Sequence, residues 1–367
     1  MRGSLRRFSV IATAAGLALT LGASAAQAAA APQWRVSYRS HSANADPLSS
    51  VVAISRGDAW SVGVTSYPSG ATRPLVLHWN GSSWGKLTIP GSSGFQPFGV
   101  AASSATDVWI FGSLKAGGDE AMVWSGHTWT SVALPASFGG PIAVLSRSNV
   151  WADNSDNCTG NSCTTTVWHW NGATWTSVQV SGEYEDLASA GGRVWILALT
   201  NLRNLSSGDP TGKPVIYRTN GAALQRVSAP SQRLWDFAHL AASPSGQLWL
   251  LGNPGYNRNT SLLFHYAGGR WTDTKVPAHV GSQEFVLEDP FIFDGHSGVW
   301  AGAYAHWTGS KWVNAFQVSA MPGNDGFGLL DIAAIPGSAS IWGVGSAGKS
   351  PSNSTQDSLI GLYGATP

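Results

Sequence analysis

Charge is scarce in this chain. Asp, Glu, Lys and Arg make up 11% of its 367 residues, against roughly 25% in an ordinary soluble domain. Ser, Thr, Asn and Gly must therefore cover much of the surface. Basic residues exceed acidic ones by only one, 21 against 20, and no cationic patch stands out, which argues against nucleic acid as a partner. Cysteine is limited to Cys158 and Cys163. That count excludes a disulfide-built scaffold and a four-thiol metal site. Past the first thirty residues no stretch reaches the eighteen apolar residues a membrane helix needs. No Gly-rich phosphate loop opens a helix, and the G-x-S-x-G string at residues 81–85 spans a hairpin joint and not a strand-to-helix elbow. The common soluble enzyme classes lose their usual signatures with them.

The N-terminus reads as an export signal. Arg2, Arg6 and Arg7 precede an apolar run over residues 10–21, and Ala26-Gln27-Ala28 is a small-x-small cleavage site. Residues 1–28 are assigned to a secretory signal peptide and 29–367 to one mature domain. Arg6-Arg7 leaves a twin-arginine route open beside the general one. The mature chain holds 18 basic and 20 acidic residues. Export favours a Cys158–Cys163 disulfide. The rival reading, a metal pair, has no further Cys or His at matching spacing.

What the chain has in plenty is tryptophan, 19 in all. Seven of them, Trp60, Trp109, Trp151, Trp195, Trp249, Trp300 and Trp342, each head a short strand of the type D-V-W-x-x-G. They recur every 42 to 54 residues. Short strands repeating at forty to fifty residues are the signature of a β-propeller. The expected fold is all-β: seven blades of four antiparallel strands. In the first unit the strands are placed at 50–54, 58–64, 74–79 and 83–89. Asn80-Gly81 joins the third to the fourth, a pair that suits a tight turn with positive φ. Ser125-Gly126, Asn171-Gly172, Asn220-Gly221, Gly268-Gly269 and Thr308-Gly309 repeat the joint. Aromatics end the third strand (Trp79, Trp124, Trp170, Tyr217, Tyr266, Trp307). Tryptophans open the fourth (Trp84, Trp129, Trp175, Trp271, Trp312), except in unit four, where Ala222-Ala223-Leu224 stands. Such rings suit the wedge between blades. The seventh unit stops one strand short, and Trp34-Arg35-Val36 supplies the missing piece. The N-terminal strand should therefore close the last blade and remove its open edge.

The unit D-V-W-x-x-G … H-W-N-G-x-x-W resembles the repeats of secreted actinobacterial β-propellers. It is also similar to tectonin-type propeller lectins, which pair a V-W strand with an x-G-x-x-W hairpin. The resemblance covers about residues 34–363. It implies a secreted binding protein of lectin type for glycans or cell-wall polymers, or a targeting subunit of a secreted toxin complex with other secreted proteins as partners. The Gly-Gly doublet of kelch units does not recur, the S-x-D-x-G-x-x-W boxes of sialidases are missing, and no Tyr/His/Cys copper set is traceable.

Function is expected on the face that carries the long, variable connections. Loops between blades bring Asp46, Phe95, Phe98, Glu183, Tyr184, Glu185, Asp186, Trp235, Asp236, Glu284, Glu288, Asp289 and Asp325. Loops within blades bring Tyr67, Arg73, Asp119, Glu120, Tyr256, Asn257 and Arg258. Trp235 is read as the tryptophan outside the repeat register. It either stacks on a sugar with Asp236 alongside or plugs a gap between blades. The ligand-binding set is Trp235, Asp236, Tyr184, Glu183, Glu185, Glu288, Asp289 and Tyr256. Two of the acids (Glu183, Glu185, Asp236, Glu288, Asp289) would have to converge within 5–10 Å for a carbohydrate-active hydrolase or lyase. A protein-interaction scaffold is the third reading. No catalytic residue, cofactor or metal is assigned. His78, His169, His265 and His306 fill one repeated structural slot, while His239 stands alone ahead of a first strand. Asp153 to Asn157 offers oxygens at alternate positions, as calcium loops do, without the glycine and closing glutamate.

Overall fold

The computed structural model describes residues 32–91, 94–138, 140–204, 210–235, 237–254, 261–281, 283–285, 290–315, 327–348 and 356–365, with backbone alone at 154–156, 204, 283, 284 and 327. Seven four-stranded antiparallel blades form a ring. Blade one comprises Leu48–Ser55, Asp58–Ser66, Thr72–Trp79 and Trp84–Leu87. Blades two to six occupy residues 95–133, 143–181, 183–227, 239–275 and 291–314. Blade seven comprises Phe327–Ala334, Ile341–Gly348 and Gln356–Tyr363, completed by Trp34–Arg39. Trp34 pairs with Tyr363 and Arg39 with Leu359, so the N-terminal strand closes the ring as expected. No helix among the described residues is long and apolar enough to cross a membrane.

The tryptophan period becomes a set of wedges. Each strand-two tryptophan is buried. Its ring fills the gap to the next blade. Trp342 of blade seven lies 5.1 Å from both Trp79 and Trp84 of blade one. Trp60 of blade one meets Trp124 and Trp129 of blade two at 6.2 and 6.0 Å. Trp300 of blade six meets Trp34 and Tyr363 of blade seven at 6.5 and 4.9 Å. The apolar core divides accordingly into seven clusters, one per blade junction. In blade four, Leu224 takes the place of the missing tryptophan and packs with Trp151 and Tyr217. A buried ring of this size contributes roughly 4–6 kcal/mol of gross apolar burial, as an upper figure. These wedges therefore dominate the cohesion of the ring.

The histidine slot is confirmed, and its mechanism is visible. In blade one, the Asp58 carboxylate accepts from Trp60 Nε1 and bonds His78 Nε2, both at 3.0 Å. Asn149 does the same for Trp151 and His169 at 2.7 and 3.1 Å. Gln247 holds His265 at 2.8 Å and Asp294 holds His306 at 2.9 Å. Each imidazole lies against its strand-two tryptophan, at 4.2 to 4.7 Å between centroids. Burial lowers the pKa of His169 and of His265. Burial alone would raise that of Asp294. The bonds from His306 and from the Gly298 and His296 amides, with the charge of His306, outweigh it and hold the carboxyl below its ordinary value.

The hairpin joints differ from the expected two-residue turn. Trp79 pairs with Trp84, so four residues lie between them, and only Gly81 takes positive φ. Asn80 works through its side chain. Its Oδ1 accepts from the Ser82 and Ser83 amides, each at 3.0 Å. Asn171 repeats this with Ala173 and Thr174. Ser125 and Thr308 do it with a hydroxyl. Among these third-to-fourth-strand joints, Gly268-Gly269 forms a two-residue turn with both φ positive. Trp168 also stands outside the repeat register, beside Trp235. It pairs with Ala152 and Ser177 in blade three.

Candidate functional site

The short joints between strands one and two and between three and four share one face, the turn face. The opposite, loop face surrounds the mouth of a central channel. The channel encloses about 1290 Å³ and is walled by the innermost strand of every blade. Its wall is apolar for the most part, with Val52, Val100, Val144, Leu187, Leu240 and Ile332 among its residues. The polar residues at its loop-face end are mostly engaged. Asp186 Oδ2 accepts from the Leu240 amide at 2.7 Å, across from blade four to blade five. Asp331 Oδ2 accepts from the Val51 amide at 2.8 Å, across from blade seven to blade one. Ser50 Oγ accepts from the Val100 amide at 3.3 Å. Each side chain sits at a bulge in its innermost strand and clamps the next.

The expected site residues separate on this face. Glu183, Tyr184, Glu185 and Asp186 are not in a loop: they open the strand Glu183–Ala190. Charge at its start hid the apolar alternation that resumes at Leu187. Glu185 Oε2 accepts from the Ala238 amide at 3.0 Å, so it too bridges to blade five. Trp235 is no exposed platform. It pairs with Thr211 as a short strand added to blade four, and its side chain is 8% exposed. Its amide donates to the Asn253 carbonyl of blade five at 2.7 Å. Asp236, Tyr256, Glu288 and Asp289, with Asn257, Arg258 and Asp325, lie outside the described residues. Phe95 is not a rim residue either; it is fully buried between blades one and two. Asp46 is also buried, whereas Phe98 lines the channel. His239 is buried, its ring 6.5 Å from that of Phe291.

Two apolar side chains stand exposed on connections into innermost strands, and Leu330 lines the channel. Leu330, at the blade-seven bulge, is 59% exposed, and Phe237 is 57% exposed. Phe237 holds a φ of 72°, which a bulky residue rarely adopts. Its ring stands 5.5 Å from Trp235, edge to face. Strain of this kind persists only where the surroundings impose it. Here the fixed points on either side are the Trp235 pairing and the Glu185–Ala238 bond. No repeat position marks Phe237 in the sequence, which is why it was missed.

Cys158 and Cys163 form a disulfide between directly paired residues of the blade-three hairpin, with Cα atoms 4.0 Å apart. Glu183 lies within 4.8 Å of the sulfurs, which are bonded to each other and so are not free as metal ligands. The Cys163 carbonyl accepts from Gly182 and the Asn161 carbonyl from Leu202, so the braced hairpin leans on blade four. The segment proposed for calcium is not a loop. It belongs to the strand Asn149–Thr159, with a bulge between Asp153 and Asp156, and Asp153 is buried.

No protein-family model matches the chain, and no curated protein does. Among solved structures the chain is similar to YCF48 bound to D1 peptide, at 16% identity and a TM-score of 0.53, over 91% of this chain and 97% of that one. It is similar to the acylaminoacyl peptidase of Pyrococcus horikoshii, at 10% identity and a TM-score of 0.52, over 83% of this chain and 50% of that one. The six-bladed fucose-recognising lectin of Aleuria aurantia matches at 10% identity and a TM-score of 0.41, over 88% and 95%. At these identities the likeness is one of fold: the chain is a β-propeller.

Proposed function

We propose that this protein is an exported, non-catalytic binding protein that takes a polypeptide segment with apolar side chains at the loop-face mouth of its channel. The observation that carries the reading is the exposed Phe237, held at positive φ in the connection that leads into His239–Ala242, the channel-lining strand of blade five. Sugar recognition asks for several free hydrogen-bonding side chains around an aromatic ring. At this mouth Ser50, Glu185, Asp186 and Asp331 each accept from a backbone amide of the next blade. The same commitments weigh against a carboxylate pair for glycoside hydrolysis, which needs one acid and one base or nucleophile at the scissile bond. Export rests on the signal-like residues 1–28. A glycan or cell-wall polymer is the second reading. Its support is the Phe237 ring beside the Glu185–Ala238 bond, an aromatic with a carboxylate alongside.

The test presents the mature protein and a Phe237→Ala variant to an immobilised peptide library, a glycan array and insoluble polysaccharides. Retention on peptides that the variant loses is the expected result. Retention on glycans lost by the variant would put the glycan reading in its place. Equal behaviour of the two proteins everywhere would remove the mouth as the site.

A further inference from the structure

Blade four departs furthest from the repetition of the turn face. In blades one, three, five and six the residue paired with the strand-two tryptophan is a histidine: His78 with Trp60, His169 with Trp151, His265 with Trp249 and His306 with Trp300. Blades two and seven put the apolar Val123 and Leu362 there. In blade four the residue paired with Trp195 is Arg218. Two residues before the tryptophan stand Asp58, Asn149 and Gln247 in blades one, three and five, and Arg193 in blade four. Both halves of the repeated slot are thus replaced by guanidinium groups. The aromatic pair beside the slot is replaced as well: Thr219 and Leu224 are partners where blade one has Trp79 and Trp84.

The register places these residues on one face. Directly paired residues share a face of the sheet, as do residues two apart on a strand. Trp195 and Ile216 face the core between blades four and five, with Tyr266 and Trp271 of blade five packed against it. Arg193, Arg218 and Gln225, the strand-four partner of Arg218, therefore form a row on that face. The Val194 amide donates to Thr219 Oγ1 at 3.0 Å, which carries the same register on toward the joint. Arg193 is then the diagonal neighbour of Arg218, roughly 7–8 Å away, within reach of long side chains. Pro210, at the tip of the hairpin, is eight residues along the strand from Arg218, about 26 Å at the ordinary strand rise. The row thus stands at the end of the blade opposite the loop face.

Arg193 and Gln225 are exposed and Arg218 is half-buried. The Arg218 Nε is buried and has no hydrogen-bond acceptor among the described residues, which include every joint of the turn face. Asp273 of blade five turns toward the same core, paired with Phe264. Neither it nor another described carboxylate lies at ion-pair distance from Arg193 or Arg218. Arg147, on the same face of the ring, does have such a partner in Asp107 at 3.7 Å. One guanidinium is enough for a carboxylate, which it meets through two parallel hydrogen bonds. Two guanidinium groups with an amide beside them match a dianion that has more than two oxygens, as a phosphate group has.

We infer that the turn face of blade four holds a phosphate subsite, in which Arg193 and Arg218 each donate to one phosphate group and Gln225 to a remaining oxygen. It lies on the face opposite the channel mouth and does not depend on the polypeptide reading. The phosphate is either the free ion or a monoester on a larger molecule.

The experiment is titration calorimetry of the mature protein in a phosphate-free buffer, with inorganic phosphate, glycerol phosphate and acetate at one ionic strength. Arg193→Gln, Arg218→Gln, Arg218→Lys, Arg226→Gln and Phe237→Ala are compared with the wild type, after melting curves show them folded. Arg226 is the control, since it pairs with Tyr217 and so belongs to the other face of the blade. The expected result is phosphate bound by the wild type and by Phe237→Ala alike, more tightly than acetate. Arg193→Gln and Arg218→Gln should each weaken it about tenfold or more, and Arg218→Lys less. Arg226→Gln should leave it within about twofold. Should Arg218→Gln not fold, Arg193→Gln and Arg218→Lys carry the comparison. Tighter binding of glycerol phosphate than of inorganic phosphate assigns the ester, and equal or weaker binding assigns the free ion. No binding of either phosphate by the folded wild type, or as large a loss in Arg226→Gln as in the Arg193 and Arg218 variants, would overturn the subsite.

Discussion

The two faces of this ring are built on opposite rules. On the turn face the blades share parts: an Asp, Asn or Gln side chain bonded to a histidine stacked on tryptophan in four of them, and Asn-Gly or Ser-Gly type joints capped by side chains. On the loop face each blade differs. Blade three carries a disulfide-braced hairpin, blade four a bulged hairpin with an added strand, and blade seven an exposed leucine. Repetition of a part marks it as scaffold, since a ligand site copied in every blade would need its loops copied too. Variation held on that scaffold is where recognition is sought.

The sharpest break would come from the wedges. Trp342→Ala empties a fully buried space between blades seven and one and should cost about 3–5 kcal/mol in chemical denaturation. Phe237→Ala removes a ring that is more than half exposed and should change stability by no more than about 0.5 kcal/mol. Comparable losses for both would end the division between scaffold and site.

Next are the clamps of the innermost strands. Asp186→Ala leaves the Leu240 amide without its carboxylate, at a cost of about 1–3 kcal/mol, with the same expected for Asp331→Ala at Val51. A neutral result for both would free these acids for another role. Removing the disulfide by Cys158→Ser with Cys163→Ser should cost about 2 kcal/mol on the chain-entropy argument for so short a loop.

Much of this was legible beforehand because it repeats. Seven tryptophans at a regular interval give seven blades, and four histidines in one register give one structural slot. The orphan Trp34 strand announces the closure. What does not repeat was misread. Charge at Glu183–Asp186 looked like a loop, although Asp186 clamps a neighbouring strand by a contact fifty-four residues away. Trp235 lacks a register, which leaves it open as a sugar platform or a plug between blades, and the structure gives it a strand partner in Thr211. Phe237 carries no sequence signal, since it holds no repeat position and its positive φ appears only in the structure.

The smallest expected effect separates the two kinds of histidine slot. His169 and His265 face amides, not carboxylates, and burial lowers their pKa below the ordinary 6.5. The unfolded chain then takes the proton first. Their contribution is present above about pH 6.5 and is lost as pH falls through the lowered folded values. Asn149→Asp gives His169 the carboxylate that His78 has in Asp58. The imidazole should then titrate higher, and its share of the acid loss should shrink. An NMR titration of His169 in both proteins reads this directly. An unchanged midpoint would show that stacking on Trp151, not the slot's partner, sets it.

The most direct test of the central claim sets Phe237→Ala beside Trp249→Ala in one experiment that records melting and peptide retention together. The division of faces predicts that Phe237→Ala melts with the wild type yet loses retention. Trp249→Ala, which empties a buried wedge between blades five and six, should melt well below both. A Phe237→Ala protein that keeps full retention, or that melts with the wedge variant, would contradict it.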